Sequence, residues 1–233
     1  MKSKEDFTLG ILGGMGPLAG IELQRKIVEN TPALGDSDHI KMVCFTNPQI
    51  KDRTKSLNEG SDFADEIIKS FNSMKSLDVN IGLIACNTAH AQFEKISANV
   101  DFPLINIINE TVAYLEMKYR GLKKIGLLAT DGTIKSKIYE KALKQRGFSI
   151  IVPKNSDQQK LMDIIYGFDG IKASGMSAKN TREIKTIMTN LNKKGAEAII
   201  LGCTELSVLG IKGKKIVDPL DVVSRKIVNL VLR

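Results

Sequence analysis

Short apolar runs alternate with amphipathic stretches from one end of the chain to the other. Leu9–Leu12 reads as a strand, Gly13–Gly16 as a turn, and Pro17 stands at the first position of a helix running to about Asn30. Ile40–Thr46 is a second strand, followed by a polar stretch from Asn47 to Gly60 that reads as irregular and too particular for a plain connector. Phe63, Ile67, Phe71 and Met74 recur at helical spacing within a helix of about Asp62–Leu77. The apolar run Ile81–Ala85 then ends at Cys86, and a helix closes before Phe102-Pro103. A strand at Leu104–Ile108 and a helix at Glu110–Tyr119 follow.

The same alternation starts again at Lys124–Thr130, a strand whose turn, Asp131-Gly-Thr133, leads into a helix stopping near Gly147. Ser149–Val152, helices over about 157–166 and 177–194, the run Ala198–Gly202 before Cys203, the short strand Ile216-Val217 and a helix from Pro219 to the last residue complete it. Strands alternating with helices predict a parallel, doubly wound α/β sheet. Gly10-Ile-Leu and Gly126-Leu-Leu lie 116 positions apart, and Cys86 and Cys203 lie 117 apart. Two landmarks sharing an offset to within one residue point to an internal repeat of domain size. The expected architecture is two similar Rossmann-like parallel-sheet domains related by a pseudo-twofold axis, with the active site in the cleft between them. Residues 1–107 completed by 218–233 form one domain and 108–217 the other.

Composition narrows the possibilities. The chain has 233 residues, a formal charge of +8, 42% hydrophobic residues and no Trp. Its lysines are scattered rather than interleaved with aromatics, so a solvated surface, not a nucleic-acid interface, is expected. No run reaches the length of a membrane span. Met1–Lys4 faintly mimics a signal peptide, but the stretch after it reads better as a strand and turn, which makes the expected compartment the cytoplasm. Three cysteines with no CxxC spacing, and two histidines, argue against a disulfide scaffold and a structural metal site. Cys44 fits the role of a small buried hydrophobe inside its strand.

Candidate chemistry gathers at the strand ends, where open α/β sheets bind ligands. Gly14-x-Gly16-x-x-Ala19 satisfies a dinucleotide fingerprint, with Asp36 and Asp38 about 20 residues on. Against that, the counterpart turn lacks glycines and Pro17 removes one N–H, so a small carboxylate at this helix start is the favoured ligand. Cys86 and Cys203 each precede a helix, whose positive end lowers a thiol's pKa. One thiolate suits a nucleophile, and His90 is the nearest base, although its position suits a structural role. Two symmetric thiols suit removal of a proton from one face of a carbon and donation to the other.

Seven segments in order carry a likeness: Gly10–Ala19, Asn47–Thr54, Cys86–His90, Leu127–Ile134, Gly170–Ala173, Gly202–Leu206 and Asp218–Asp221. Together they resemble the aspartate/glutamate racemase superfamily, most nearly the PLP-independent aspartate racemases, along the whole chain. The resemblance implies an enzyme without metal or cofactor, using Cys86 and Cys203 as a thiolate/thiol pair. It implies Arg53 and Lys172 as cations for the side-chain carboxylate of a small acidic amino acid. Met15, Gly16, Gln49, Asn87, Thr88, Thr130 and Thr204 would hold the α-carboxylate and amine. Glu205, where glutamate racemases have a histidine, favours aspartate. A homodimer is implied by resemblance alone. The Asn47–Gly60 loop and the Gly167–Gly175 segment are the expected gates. Glutamate or broader specificity, another carbon-acid enzyme such as a maleate isomerase relative, and a non-catalytic two-lobed binder remain alternatives.

Overall fold

A computed structural model describes residues 6–232. The basic start Met1–Lys4 and the final Arg233 lie outside the described residues. In chain order the elements are β1 (Thr8–Gly13), α1 (Pro17–Asn30), β2 (Lys41–Thr46), α2 (Arg53–Glu59), α3 (Ala64–Asn72), β3 (Ile81–Ile84), α4 (Phe93–Ser97), β4 (Leu104–Ile105) and α5 (Ile107–Lys118). The second half contains β5 (Lys124–Leu128), α6 (Asp131–Lys135), α7 (Ile138–Gln145), β6 (Ser149–Ile151), α8 (Asn155–Tyr166), α9 (Ile171–Ser174) and α10 (Ala178–Lys193). It ends with β7 (Ala198–Leu201), α11 (Thr204–Val208), β8 (Ile216–Val217) and α12 (Pro219–Val231).

The strands form two four-stranded sheets, ordered β2-β1-β3-β4 and β6-β5-β7-β8. All pairings are parallel. The order is the same in both halves, and so is the register at the centre. Gly10 pairs with Gly82 in the first sheet and Gly126 with Ile199 in the second, which carries the offset of 116 in one strand into 117 in the next. The internal repeat is therefore a repeat of topology, and it sets Cys86 and Cys203 at equivalent strand ends.

Burial explains which strands are apolar. Every residue of β1 and β7 is buried, as central strands covered on both faces should be. β2 lies at a sheet edge and is half-buried at best, which exposes Cys44. The expectation of a buried Cys44 was wrong because an edge strand has one flank open.

A shared cluster joins the halves: Leu9, Ile11 and Leu83 of one sheet and Ile125, Leu127 and Ile200 of the other meet Val112 of α5 and Leu220, Val223 and Ile227 of α12. Outside it, Phe63, which precedes α3, and Ile67 and Phe71 of α3 pack with Ile84 and Cys86. On the equivalent outer side, Leu161 and Ile165 of α8 and Ile184 of α10 pack with Leu201 and Cys203.

Several helix limits differ from the sequence expectation, each for a local reason. The stretch 47–60 contains α2, because Asp52 accepts the Lys55 N–H at its start and Gly60 ends it at φ 68°. Asn106 accepts the N–H groups of Ile108 and Asn109, so α5 begins early and shortens β4. The expected turn Asp131-Gly-Thr133 is itself the start of α6, and the helix expected from there to near Gly147 is two helices, broken at Lys137 with φ 57°. The helix expected to Leu77 ends at Asn72 and is followed by a separate 3-10 turn at Lys75–Leu77.

Candidate active site

The two thiols stand on the wall of one small cavity where the strand ends of the halves meet. Of the residues singled out from sequence, Met15, Arg53, Asn87, Thr88 and Thr130 also line it, as do Lys172, Thr204 and Glu205. Gly16 contributes through its N–H, which donates to Glu205 Oε1 at 2.8 Å. Gln49 is not brought there. It is exposed, and its N–H donates to Asn47 Oδ1 at 3.0 Å. Tyr166, not singled out from sequence, completes the wall.

The cavity measures about 10 Å³, room for about one water molecule and not for an amino acid. The structure is thus a closed form, and polar contacts across the cleft hold it shut. Thr204 donates to the Ala85 carbonyl at 3.2 Å, Tyr166 to Thr54 Oγ1 at 3.3 Å, and Tyr139 to Asn87 Oδ1 at 2.6 Å. Thr88 lies 3.1 Å from Thr130 Oγ1 and 2.8 Å from Thr133 Oγ1.

Two cations meet on one backbone carbonyl. Arg53 Nη2 donates to Met15 O at 2.9 Å, and Lys172 Nζ donates to the same oxygen at 3.0 Å. Arg53, 5% exposed, is further fixed by Nη1 donating to the carbonyls of Ile50 at 3.0 Å and Lys51 at 2.8 Å. Its Nε is buried with no hydrogen-bond partner. Burial opposes the guanidinium charge, but Cys86, Asp52 and Tyr166 outweigh it and hold the proton more tightly than usual. The turn allows this approach because Gly14, at φ 100°, leaves the space a Cβ would take 2.3 Å from the Asn47 carbonyl.

Glu205 is the charged centre of the second half. Its Oε1 accepts from Gly16 and pairs with Lys172 Nζ at 2.7 Å, while Oε2 accepts from Cys203 Sγ at 2.9 Å. Burial alone would raise its pKa; Lys172, the Cys203 thiol and the Gly16 N–H reverse that and keep it below the usual range. Burial and the neighbouring Glu205 carboxylate push the Cys203 thiol well above the ordinary value, against the pull of Lys172. Lys172 itself stays charged against burial because Glu205 and both sulfurs favour its proton. The helix-end argument for a lowered thiol pKa therefore fails at Cys203, where an adjacent carboxylate outweighs the end of a five-residue helix.

The same contacts bear on the competing sequence readings. The N–H of Gly16, which a dinucleotide phosphate would need, is taken by Glu205. His90 is buried and stacked on Phe93; Nδ1 lies 2.9 Å from the Cys86 carbonyl, and the Ile107 N–H donates to Nε2 at 3.3 Å. That pattern needs a neutral ring with its proton on Nδ1, and burial lowers its pKa to about 4. His90 is a brace under Cys86. Asn87 is oriented too: Tyr139 occupies Oδ1, and Nδ2 remains buried without a partner on the cavity wall.

Thr133, Tyr139 and Tyr166 were missed in the sequence. Each acts across the cleft, on residues 45, 52 and 112 positions away, and no local pattern marks such contacts.

The model of the family described as Asp/Glu/Hydantoin racemase matches residues 12–225. The chain is 28% identical over 207 residues to the broad specificity amino-acid racemase RacX of Bacillus subtilis (strain 168), covering 86% of each. It is 26% identical over 206 residues to a glutamate racemase of Limosilactobacillus reuteri (strain DSM 20016), covering 86% of this chain and 69% of that one. Among solved structures, the Picrophilus torridus aspartate racemase superposes with a TM-score of 0.81 at 25% identity, covering 96% of this chain and 94% of that one. PH1733 of Pyrococcus horikoshii OT3, described as an aspartate racemase homologue, has the same fold, with a TM-score of 0.75 at 23% identity, covering 97% of this chain and 99% of that one.

Proposed function

The chain belongs to the Asp/Glu/Hydantoin racemase family, and from that premise we propose that it interconverts L- and D-aspartate without a cofactor, using Cys86 and Cys203 as the two bases. The observation that carries the proposal is the single cavity wall that holds both thiols together with two cations. Cys203, hydrogen-bonded to Glu205, starts as the protonated partner. Cys86 then takes the α-proton on one face, and Cys203 delivers its own to the other. In the reverse reaction the roles exchange.

An amino acid α-proton is far less acidic than a thiol, so the carbanionic charge has to be stabilised by fixed groups in a dry site. The closed cavity, the immobile Arg53 and the Lys172 ammonium supply such groups. The side-chain carboxylate of aspartate pairs with Arg53 and Lys172, sharing Lys172 with Glu205. The unpartnered Nδ2 of Asn87 and the threonine hydroxyls receive the α-carboxylate and amine. Glutamate or a wider range of amino acids is the second reading, favoured by the likeness to RacX and to a glutamate racemase.

The test is α-proton exchange in deuterated water, followed for each enantiomer of aspartate and glutamate with no cofactor added. Exchange and racemisation of aspartate, fastest among the four, is the expected result. Exchange with none of them contradicts the proposal.

A further inference from the structure

At the mouth of the cavity stands one large side chain to which the chemistry gives no task. Tyr166 is the last residue of α8. Its hydroxyl donates to Thr54 Oγ1 across the cleft at 3.3 Å, and Lys172 Nζ lies 5.2 Å from its ring centroid, within cation–π range. The outer side of the residue is open, with 38% of it exposed, while its inner side lines the cavity. Burial, with Asp52 and both cysteines nearby, raises the phenol's pKa, so the hydroxyl stays a donor.

The post on which Tyr166 closes is rigid. Thr54 is buried, and a Cβ at Gly132 of the opposite half would come within 2.8 Å of it. The neighbouring cations are fixed as well. Arg53 is tied to three backbone carbonyls, and Lys172 to Met15 O and Glu205. A side chain longer than the pocket was shaped for cannot push either cation aside. It has to find its extra length past Lys172, and there it meets the Tyr166 ring, whose centroid lies 5.2 Å from that ammonium on the same cavity wall.

We propose that Tyr166 is the roof of the site and its length gauge, the residue that lets aspartate in and refuses its homologue with one more methylene. The proposal rests on the racemase reading above and adds the residue that sets its specificity. Two different functions meet in this side chain. The hydroxyl latches the closed form through Thr54, and the ring sets the depth. In a tight pocket one methylene decides a factor of about 10–200 in kcat/KM, which is the preference expected of the unaltered chain for aspartate over glutamate.

The experiment compares racemisation of aspartate and glutamate by the full chain and by Tyr166→Phe, Tyr166→Leu and Tyr166→Ala. Tyr166→Phe keeps the ring and loses the latch, so the ratio of kcat/KM for glutamate over aspartate stays put while KM for aspartate rises. Tyr166→Ala opens the roof, and that ratio rises by about tenfold or more. Tyr166→Leu, which keeps apolar bulk should the alanine variant fail to fold, gives a smaller rise in the same direction. A ratio unchanged in the folded Ala or Leu variant overturns the gauge while leaving the racemase reading intact. So does an unaltered chain that racemises both acids equally well. An unaltered chain inert toward every acidic amino acid contradicts the racemase reading itself and takes the gauge with it.

Discussion

A carboxylate buried 3% exposed beside a thiol is an expensive arrangement, and Glu205 remains ionised only because a lysine, a backbone N–H and the thiol itself surround it. The effect on Cys203 follows from charge alone. Glu205 disfavours the thiolate, so replacing it with the neutral isostere removes one of the two causes that push the thiol up. In Glu205→Gln, kcat/KM for the enantiomer deprotonated by Cys203 therefore reaches its plateau at lower pH than in the unaltered chain, while the other enantiomer's profile moves less. pH profiles measured separately for the two enantiomers check this; a shift toward higher pH contradicts it. The two thiols were legible in the sequence because each ends an apolar strand and each has a repeat partner. Arg53 and Lys172 stood out only through the resemblance, since spacing alone made them two charges among 34. The asymmetry between the thiols was not legible at all. It depends on which oxygen of Glu205 faces which donor, a fact of the folded cleft.

Among the elements, α2 is the one most easily overlooked. It has no apolar stripe to follow, because what it buries are Arg53, Thr54 and Ser56. Its start is set by Asp52, whose side chain accepts the Lys55 N–H at 2.8 Å. Asp52→Ala removes that cap at a cost of about 1 kcal/mol. Because Arg53 and Thr54 open the same helix, the looser first turn also lowers kcat/KM for aspartate by several-fold. Thermal melts and steady-state rates measure the two effects together; a variant that loses stability but keeps full activity contradicts the claim that α2 positions Arg53. The central strands, by contrast, were legible to within two residues, whereas β4, expected to reach Ile108, stops at Ile105. Covered on both faces, the central ones read as continuous apolar runs, whereas capping by Asn106 and the left-handed Lys137 redirected helices in ways no periodicity reports.

Across the whole molecule, the two sheets share one core through α5 and α12, so the halves brace each other and the cleft between them closes on a preformed frame. His90 ties that frame to solution pH. Its folded value of about 4 lies below the ordinary 6.5, so the unfolded chain takes up the proton first as pH falls. The stability associated with neutral His90 is complete above about pH 6.5 and is lost as pH drops toward and through about 4. The difference amounts to about 3 kcal/mol. Melting temperature followed over that range falls more steeply for the unaltered chain than for His90→Asn; equal slopes contradict the assignment. The internal repeat was the most informative feature of the sequence at this scale, because it placed the two cysteines at equivalent strand ends before any contact was known. How tightly the cleft closes, and which side chains lock it, rests on contacts between residues up to 189 positions apart.

The central claim is that two thiols act on opposite faces of one carbon. The most direct test incubates L-aspartate in deuterated water with the unaltered chain, Cys86→Ala or Cys203→Ala and follows chirality and α-deuterium together. The unaltered chain yields D-aspartate labelled at the α-carbon, and each single variant loses racemisation entirely, whichever enantiomer is supplied. A single-cysteine variant that still racemises at more than a small fraction of the original rate contradicts the paired-thiol account.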